Sequence, residues 1–214
     1  IGIPYSYIAT KSYIDTNIIG LLNVLELSKC NKVKKIIHTS TSEVYGNAKS
    51  DKINENHRLN AQSPYSATKI GADQLALSFY NSFNLPVTIA RPFNTFGPRQ
   101  SMRAIIPTII CQLLNKKKYV NLGNVYPKRD LTYVEDTVNG LITIAFSKKD
   151  STNGEVYNLG TSYSISILEL FNLIKELLNS NTTLKFDKKR IRNKKSEVDN
   201  LISDNSKILK NLGW

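Results

Sequence analysis

Hydrophobic positions along the chain fall into alternating helix-like and strand-like runs. From 12 to 29, Ile18, Leu21, Leu22 and Leu25 recur at helical spacing, and the pattern ends near Asn31. The run from Lys35 to Thr39 reads as a buried parallel strand. Gly46 to Gln62 is polar and irregular, which predicts a loop lying over a site. A helix over 65–83 and a strand over 86–90 follow, then a helix over 105–114 and short strands at 119–122 and 131–134. The pattern closes with a helix over 136–146, a strand at 156–159 ended by Gly160, and an amphipathic helix over 167–178. Ser166 with Glu169 three residues on is the capping-box pattern for that last helix. Strand and helix alternate throughout, so the predicted class is α/β.

Composition narrows this reading. At 214 residues the chain can hold one domain or parts of two. Its net charge of +12 comes mainly from lysine, in blocks at 116–118, 148–149, 188–189 and 194–195. These blocks sit near predicted element ends and carry no interleaved aromatics, so solvated surface is predicted and not a nucleic-acid interface. A modest basic bias does suit an anionic small substrate. No apolar run approaches membrane-spanning length. Cys30 and Cys111 make no disulfide framework, which suits a reducing cytoplasm, and both are expected at core positions. With only His38 and His57, a histidine-based metal site is not expected.

Two segments carry candidate chemistry. Thr41-Ser42-Glu43 lies in a loop just after the predicted strand at 35–39. Tyr65 and Lys69 are four residues apart at the start of the next helix, hence on one face. An ammonium there can favour the phenolate, so a tyrosine can work as a base below its usual pKa. With 22 lysines and 11 tyrosines, one such pair by itself is unremarkable. A packed tyrosine ring with a snorkelling lysine is the plain alternative.

The surrounding segments add weight. His-Thr-Ser-Thr-Ser-Glu-Val-Tyr-Gly (38–46), Ser-Pro-Tyr-Ser-Ala-Thr-Lys (63–69), Arg-Pro-Phe-Asn-Thr-Phe-Gly-Pro-Arg (91–99) and Arg-Asp-Leu-Thr-Tyr-Val-Glu-Asp (129–136) occur in order. Together they resemble the extended short-chain dehydrogenase/reductases, specifically the NAD-dependent nucleotide-sugar epimerases and dehydratases. The resemblance runs from the segment 13–20 to Asp204-Asn-Ser-Lys207 and the closing Leu-Gly-Trp. Ser12 to Asn17, Arg91 to Gln100 and Lys195 to Val198 are most similar to GDP-N-acetylglucosamine 4,6-dehydratases of legionaminic-acid pathways.

That resemblance implies a doubly wound parallel-sheet Rossmann fold with a smaller α/β substrate lobe. Residues 1–92, with 126–160 partly returning, would form the cofactor-binding part. Residues 93–125 and 161–214 would form the lobe. No G-x-G-x-x-G or G-x-x-G-x-x-G occurs in the chain. Residues 1–31 match the family's fourth crossover helix, so roughly 90 to 100 residues, about three βα units, are expected to be missing in front. The chain by itself is then expected neither to bind NAD well nor to turn over.

The resemblance also implies roles. Tyr65 would take the proton of the sugar 4-hydroxyl as C4 gives hydride to NAD. Lys69 would lower the pKa of Tyr65 and bind the nicotinamide ribose. Thr41 would hydrogen-bond near O4, and Glu43 would remove the C5 proton while water leaves C6. Ser42 stands where dTDP-glucose dehydratases carry Asp, a departure shared with GDP-mannose 4,6-dehydratases and UDP-glucuronate decarboxylases. Pro92 would border the cofactor. Asn94, Arg103, Arg129 and Arg192 (or Arg190 in place of Arg192) would contact the nucleotide diphosphate. Decarboxylation, 4-epimerisation and a non-catalytic nucleotide-binding role are the competing readings. A cytoplasmic homodimer, paired through helices 12–29 and 65–83, is the implied assembly.

Overall fold

The computed structural model describes residues 3–115, 118–147, 150–190 and 196–214. Two short helices, α1 (Ile3–Ser6) and α2 (Thr10–Ile14), lead through a π-helical turn at Asp15–Ile19 into α3 (Gly20–Cys30). The predicted helix over 12–29 is thus one run with a wider turn inside it. Next come β1 (Ile36–Thr39), a 3₁₀ turn at Ser42–Val44 and the long α4 (Pro64–Phe83). β2 (Val87–Pro92) and β7 (Val156–Leu159) complete a parallel sheet of order β1-β2-β7, with Ile36 opposite Val87 and Pro92 opposite Leu159.

Both faces of this sheet are covered. Val87 and Ile89 of β2 point one way, into a cluster with Leu25 of α3 and Ala76 and Phe79 of α4. Ala90 points the other way, as period-2 alternation requires, and joins Tyr157, Leu159, Ile144 of α6 (Val134–Ala145) and Ile208 of α8 (Ser206–Leu212). Burial on both faces explains why the central strand Val-Thr-Ile-Ala-Arg reads as a continuous run. The result is the predicted α/β class, a Rossmann-like parallel sheet between helical layers.

A second core lies between α5 (Ile105–Leu114) and α7 (Ile167–Leu177), where Ile109, Leu113, Leu170, Phe171 and Ile174 meet Val120 and Leu122. Those last two belong to β4 (Tyr119–Leu122), which pairs in parallel with β9 (Thr183–Phe186). The Ser166/Glu169 capping box forms as predicted. Between the two cores lie short pairings. β3 (Asn94–Phe96) runs parallel to β6 (Leu131–Tyr133). β5 (Lys128–Arg129) lies between β8 (Ile165–Ser166) and β10 (Asn200–Leu201).

The predicted loop 46–62 is not a loose cover. Ile53 is fully buried with Val44, Tyr45, Phe93 and Leu201, and Gly46 turns the chain at φ +63° where a Cβ would lie 2.6 Å from the Asn60 carbonyl. The expected core cysteines are corrected: Cys30, the last residue of α3, is exposed, and Cys111 is half-buried. Among the described residues no helix is long and apolar enough to cross a membrane.

Candidate active site

Tyr65 and Lys69 stand on the first turns of α4. Ser63 caps that helix in a reciprocal arrangement with Ser66, and Pro64 opens it without losing a needed N–H. The cap fixes where the helix begins, and so where Tyr65 points. On the facing side β1 ends at Thr39, and Thr41 caps the 3₁₀ turn by accepting from the Glu43 backbone N–H at 3.3 Å. The Thr41 hydroxyl is a hydrogen-bond partner of the Tyr65 phenol, and the Glu43 charge is felt at the same phenol. Three of the predicted residues, contributed by two separate segments, therefore converge at the carboxyl end of the sheet.

Electrostatics differ from expectation in one respect. Burial pushes the Tyr65 phenol above its ordinary value, the Thr41 hydrogen bond opposes this, and Glu43 adds to it. The expected lowering by Lys69 is corrected for this state. The Lys69 ammonium donates to the Thr39 carbonyl at 2.6 Å and is 8 % exposed, and burial pushes its own pKa down against the pull of Asp73. One of its three N–H donors is used on Thr39, which leaves donors for a hydroxyl-bearing ligand. Ser42 is 2 % exposed and contributes no acid.

Local contacts hold this pair. The Tyr65 ring packs edge-on against Tyr13 at 5.9 Å between centroids. Asn17, in the π-helical turn, donates to Thr68 Oγ1 at 2.9 Å, and Thr68 in turn donates to the Tyr65 carbonyl at 2.8 Å. A π turn of this kind repositions side chains and is frequent at functional sites.

Beneath the pair lies a buried polar network that the sequence reading missed. Arg91 of β2 reaches Asp73 of α4 at 2.9 and 3.0 Å, and donates to the Tyr45 hydroxyl at 2.9 Å. Tyr45 donates to Asn158 Oδ1 at 2.7 Å, and the Asn158 backbone N–H donates to Glu55 Oε1 at 2.9 Å. Burial pushes the Tyr45 phenol up to about 12, against Arg91. Burial alone would raise Asp73, but His38 and Arg91 outweigh it and hold the carboxyl below its usual range. His38 Nε2 lies 3.2 Å from Asp73 Oδ1 but out of line, so both atoms, with Ser40 Oγ, lack an aligned hydrogen bond. One sequence signal was available: Asp73 lies four residues past Lys69, on the same face.

The remaining predicted residues form a second group. Pro92 ends β2 beside Leu159. Asn94 has a buried side-chain oxygen that accepts no hydrogen bond among the described residues. Arg129 sits in β5, donating to the Lys128 carbonyl at 2.9 Å and lying 3.7 Å from Glu197. Its neighbour Asp130 is fully buried and accepts from Thr161, Ser162 and Ser203, which locks β5 in place. Arg103 is exposed and lines a cleft of about 530 Å³ with Gln112, Asn121, Asp187 and Arg190. Arg190, the alternative to Arg192, therefore faces that cleft, while Arg192 lies outside the described residues. Among the described residues no group of His, Cys, Asp and Glu could hold a metal ion.

A family model described as GDP-mannose 4,6 dehydratase matches residues 1–214. The chain belongs to this family. A dTDP-D-glucose 4,6-dehydratase of Dictyostelium discoideum is 38 % identical over 176 residues, covering 77 % of this chain and 40 % of that protein. DesIV, a dTDP-glucose 4,6-dehydratase from Streptomyces venezuelae solved with NAD and TYD bound, superposes with a TM-score of 0.87 at 26 % identity. It covers all of this chain and 65 % of its own. A UDP-N-acetylglucosamine 4-epimerase from Methanobrevibacter ruminantium M1, solved with UDP-N-acetylmuramic acid, gives a TM-score of 0.89 at 29 % identity, covering all of this chain and 67 % of its own. The chain spans about half the length of the curated relatives it matches. Those relatives and neighbours are nucleotide-sugar 4,6-dehydratases and 4-epimerases.

Proposed function

We propose that this chain carries the proton-handling half of a nucleotide-sugar 4,6-dehydratase that forms a 4-keto-6-deoxy sugar nucleotide for surface-glycan synthesis. The observation that carries the reading is the convergence of Thr41, Glu43 and Tyr65, with a carboxylate close enough to act on the phenol. A 4-epimerase needs a base at O4; an eliminating enzyme needs a carboxylate as well.

NAD fits the residues present at its nicotinamide-ribose end, where Lys69 keeps donors beyond the one on the Thr39 carbonyl. When bound it would accept hydride from C4 of the sugar and return it to C6. Tyr65 takes the proton of the 4-hydroxyl while Thr41 orients that oxygen. Burial keeps Tyr65 protonated at rest, so its base form depends on positive charge brought beside the phenol once substrate and cofactor are bound. The 4-keto group acidifies C5–H, and Glu43 removes that proton. Ser42 is no acid, so Glu43 delivers its proton to the leaving 6-hydroxyl, and a solvent-derived proton later returns to C5.

Asn94 and Arg129 bind the diphosphate, the guanidinium engaging two oxygens at once. Arg103 and Arg190 approach the nucleotide from the 530 Å³ cleft. The sugar nucleotide is GDP-N-acetylglucosamine, on the resemblance of residues 12–17, 91–100 and 195–198. The exposed Val24, Leu27 and Phe83 on the outer faces of α3 and α4 support a homodimer paired there, which a sedimentation profile of a clean monomer would refute. The assay offers GDP-N-acetylglucosamine, GDP-mannose, UDP-N-acetylglucosamine and UDP-glucuronate separately to the full-length protein and reads products by mass. Loss of water from one of them is expected. Loss of carbon dioxide from UDP-glucuronate, or an isobaric product, would replace the proposal with decarboxylation or epimerisation.

A further inference from the structure

We propose that Asp73 is a positioning residue for the Tyr65–Lys69 pair, tied through Arg91 and Tyr45 to the turn that carries Glu43. This rests on the reading of Tyr65 and Lys69 as the proton-handling pair. Asp73 is fully buried and lies one helical turn beyond Lys69 on the same face of α4. Its Oδ2 is held by Arg91, 3 % exposed, whose Nη1 donates to the hydroxyl of Tyr45, two residues past Glu43. One ion pair thus joins the helix bearing the base to the turn bearing the carboxylate.

Stability does not call for this arrangement, since a buried ion pair replaced by packed apolar groups is often no less stable. The network does what an apolar filler cannot: it sets a negative charge beside a dry ammonium. The groups that face Asp73 are His38 from β1, Ser40 from the following loop, Arg91 from β2, Tyr45 from the 3₁₀ turn, and Lys69 and Tyr65 from α4 itself. Asp73 favours the charged form of Lys69 and opposes ionisation of Tyr65. Removing its charge therefore makes both groups lose their protons at lower pH.

The test is a pH titration of Lys69 by NMR in protein labelled with [6-¹³C]lysine, the resonance assigned by its absence in Lys69→Gln. In Asp73→Asn the Lys69 midpoint is expected to fall, so that at a given pH roughly tenfold more of it is neutral. A purely structural Asp73 would lower the unfolding temperature and leave the midpoint where it was, which would overturn the proposal. If Asp73→Asn alone does not fold, the double variant Asp73→Asn, Arg91→Met removes both charges together. Its midpoint is read against that of Arg91→Met alone, which keeps the Asp73 charge: a lower midpoint in the double variant is expected, and equal midpoints overturn the proposal. Turnover is read separately. If Tyr65→Phe leaves the full-length protein active, the functional reading fails while the titration still reports on Asp73.

Discussion

The interior under α4 holds His38, Asp73, Arg91 and Tyr45, whereas the interior between α5 and α7 is Ile, Leu, Val and Phe. Each interior supports different chemistry at the surface above it. Above the polar one, Tyr65 and Lys69 are themselves largely buried and held by directed bonds, so their angles and charges are set before a ligand arrives. Above the apolar one, Arg103 is exposed on the cleft wall and Arg190 is paired with Asp187 at 3.3 Å. On the proposed function, reaction geometry would rest on fixed dipoles and nucleotide capture on charges at the rim of an apolar wedge.

That contrast can be broken from either side. The largest expected effect is on the polar side: Tyr65→Phe keeps the ring against Tyr13 and removes the hydroxyl. Turnover in the full-length protein should fall by roughly 10²- to 10⁴-fold, with unfolding by heat unchanged. On the apolar side, Ile109→Ala leaves a cavity where no atom is exposed, and chemical denaturation should show a loss of about 2–5 kcal/mol. The two variants should separate cleanly, one losing rate without stability and the other stability before rate.

Arg129→Gln is a smaller change. It removes a charged donor without touching the Tyr65 centre, so KM should rise by roughly tenfold while kcat stays near that of the parent. The smallest effect concerns Glu55, which burial holds above the usual carboxylate range. A carboxylate with a raised folded pKa costs stability above its unfolded pKa, and the cost disappears as pH falls below it. Glu55→Gln should therefore be slightly more stable than the parent at neutral pH, and the two should converge in acid; denaturant midpoints across pH would show it.

Much of the sheet was legible in the sequence because burial on one face or two leaves a periodic signature. The strand at 156–159 and the helix at 105–114 coincide with prediction to the residue. The helix at 65–83 begins one residue early, at Pro64. What stayed hidden has no period. β3, β5, β8 and β10 are two or three residues long and exist through pairing between distant segments. Loop 46–62 reads as polar, yet it buries Ile53 among residues from 93 and 201. The Tyr65, Thr41 and Glu43 group was legible because each type has its own chemistry. Asp73 and Arg91 were not singled out, since a charged residue in a strand or helix signals burial only when its partner's place is known. Arg91 opens the segment 91–99 that carries the resemblance, which implies no role for it.

The most direct test of the central claim is the mass of the product formed by the full-length protein in heavy water. If Glu43 and Tyr65 act as proposed, the product has lost one water and retains one solvent deuterium at C5, and Glu43→Gln abolishes both. A product isobaric with its substrate, or loss of water with no deuterium at C5, would contradict the role given to Glu43.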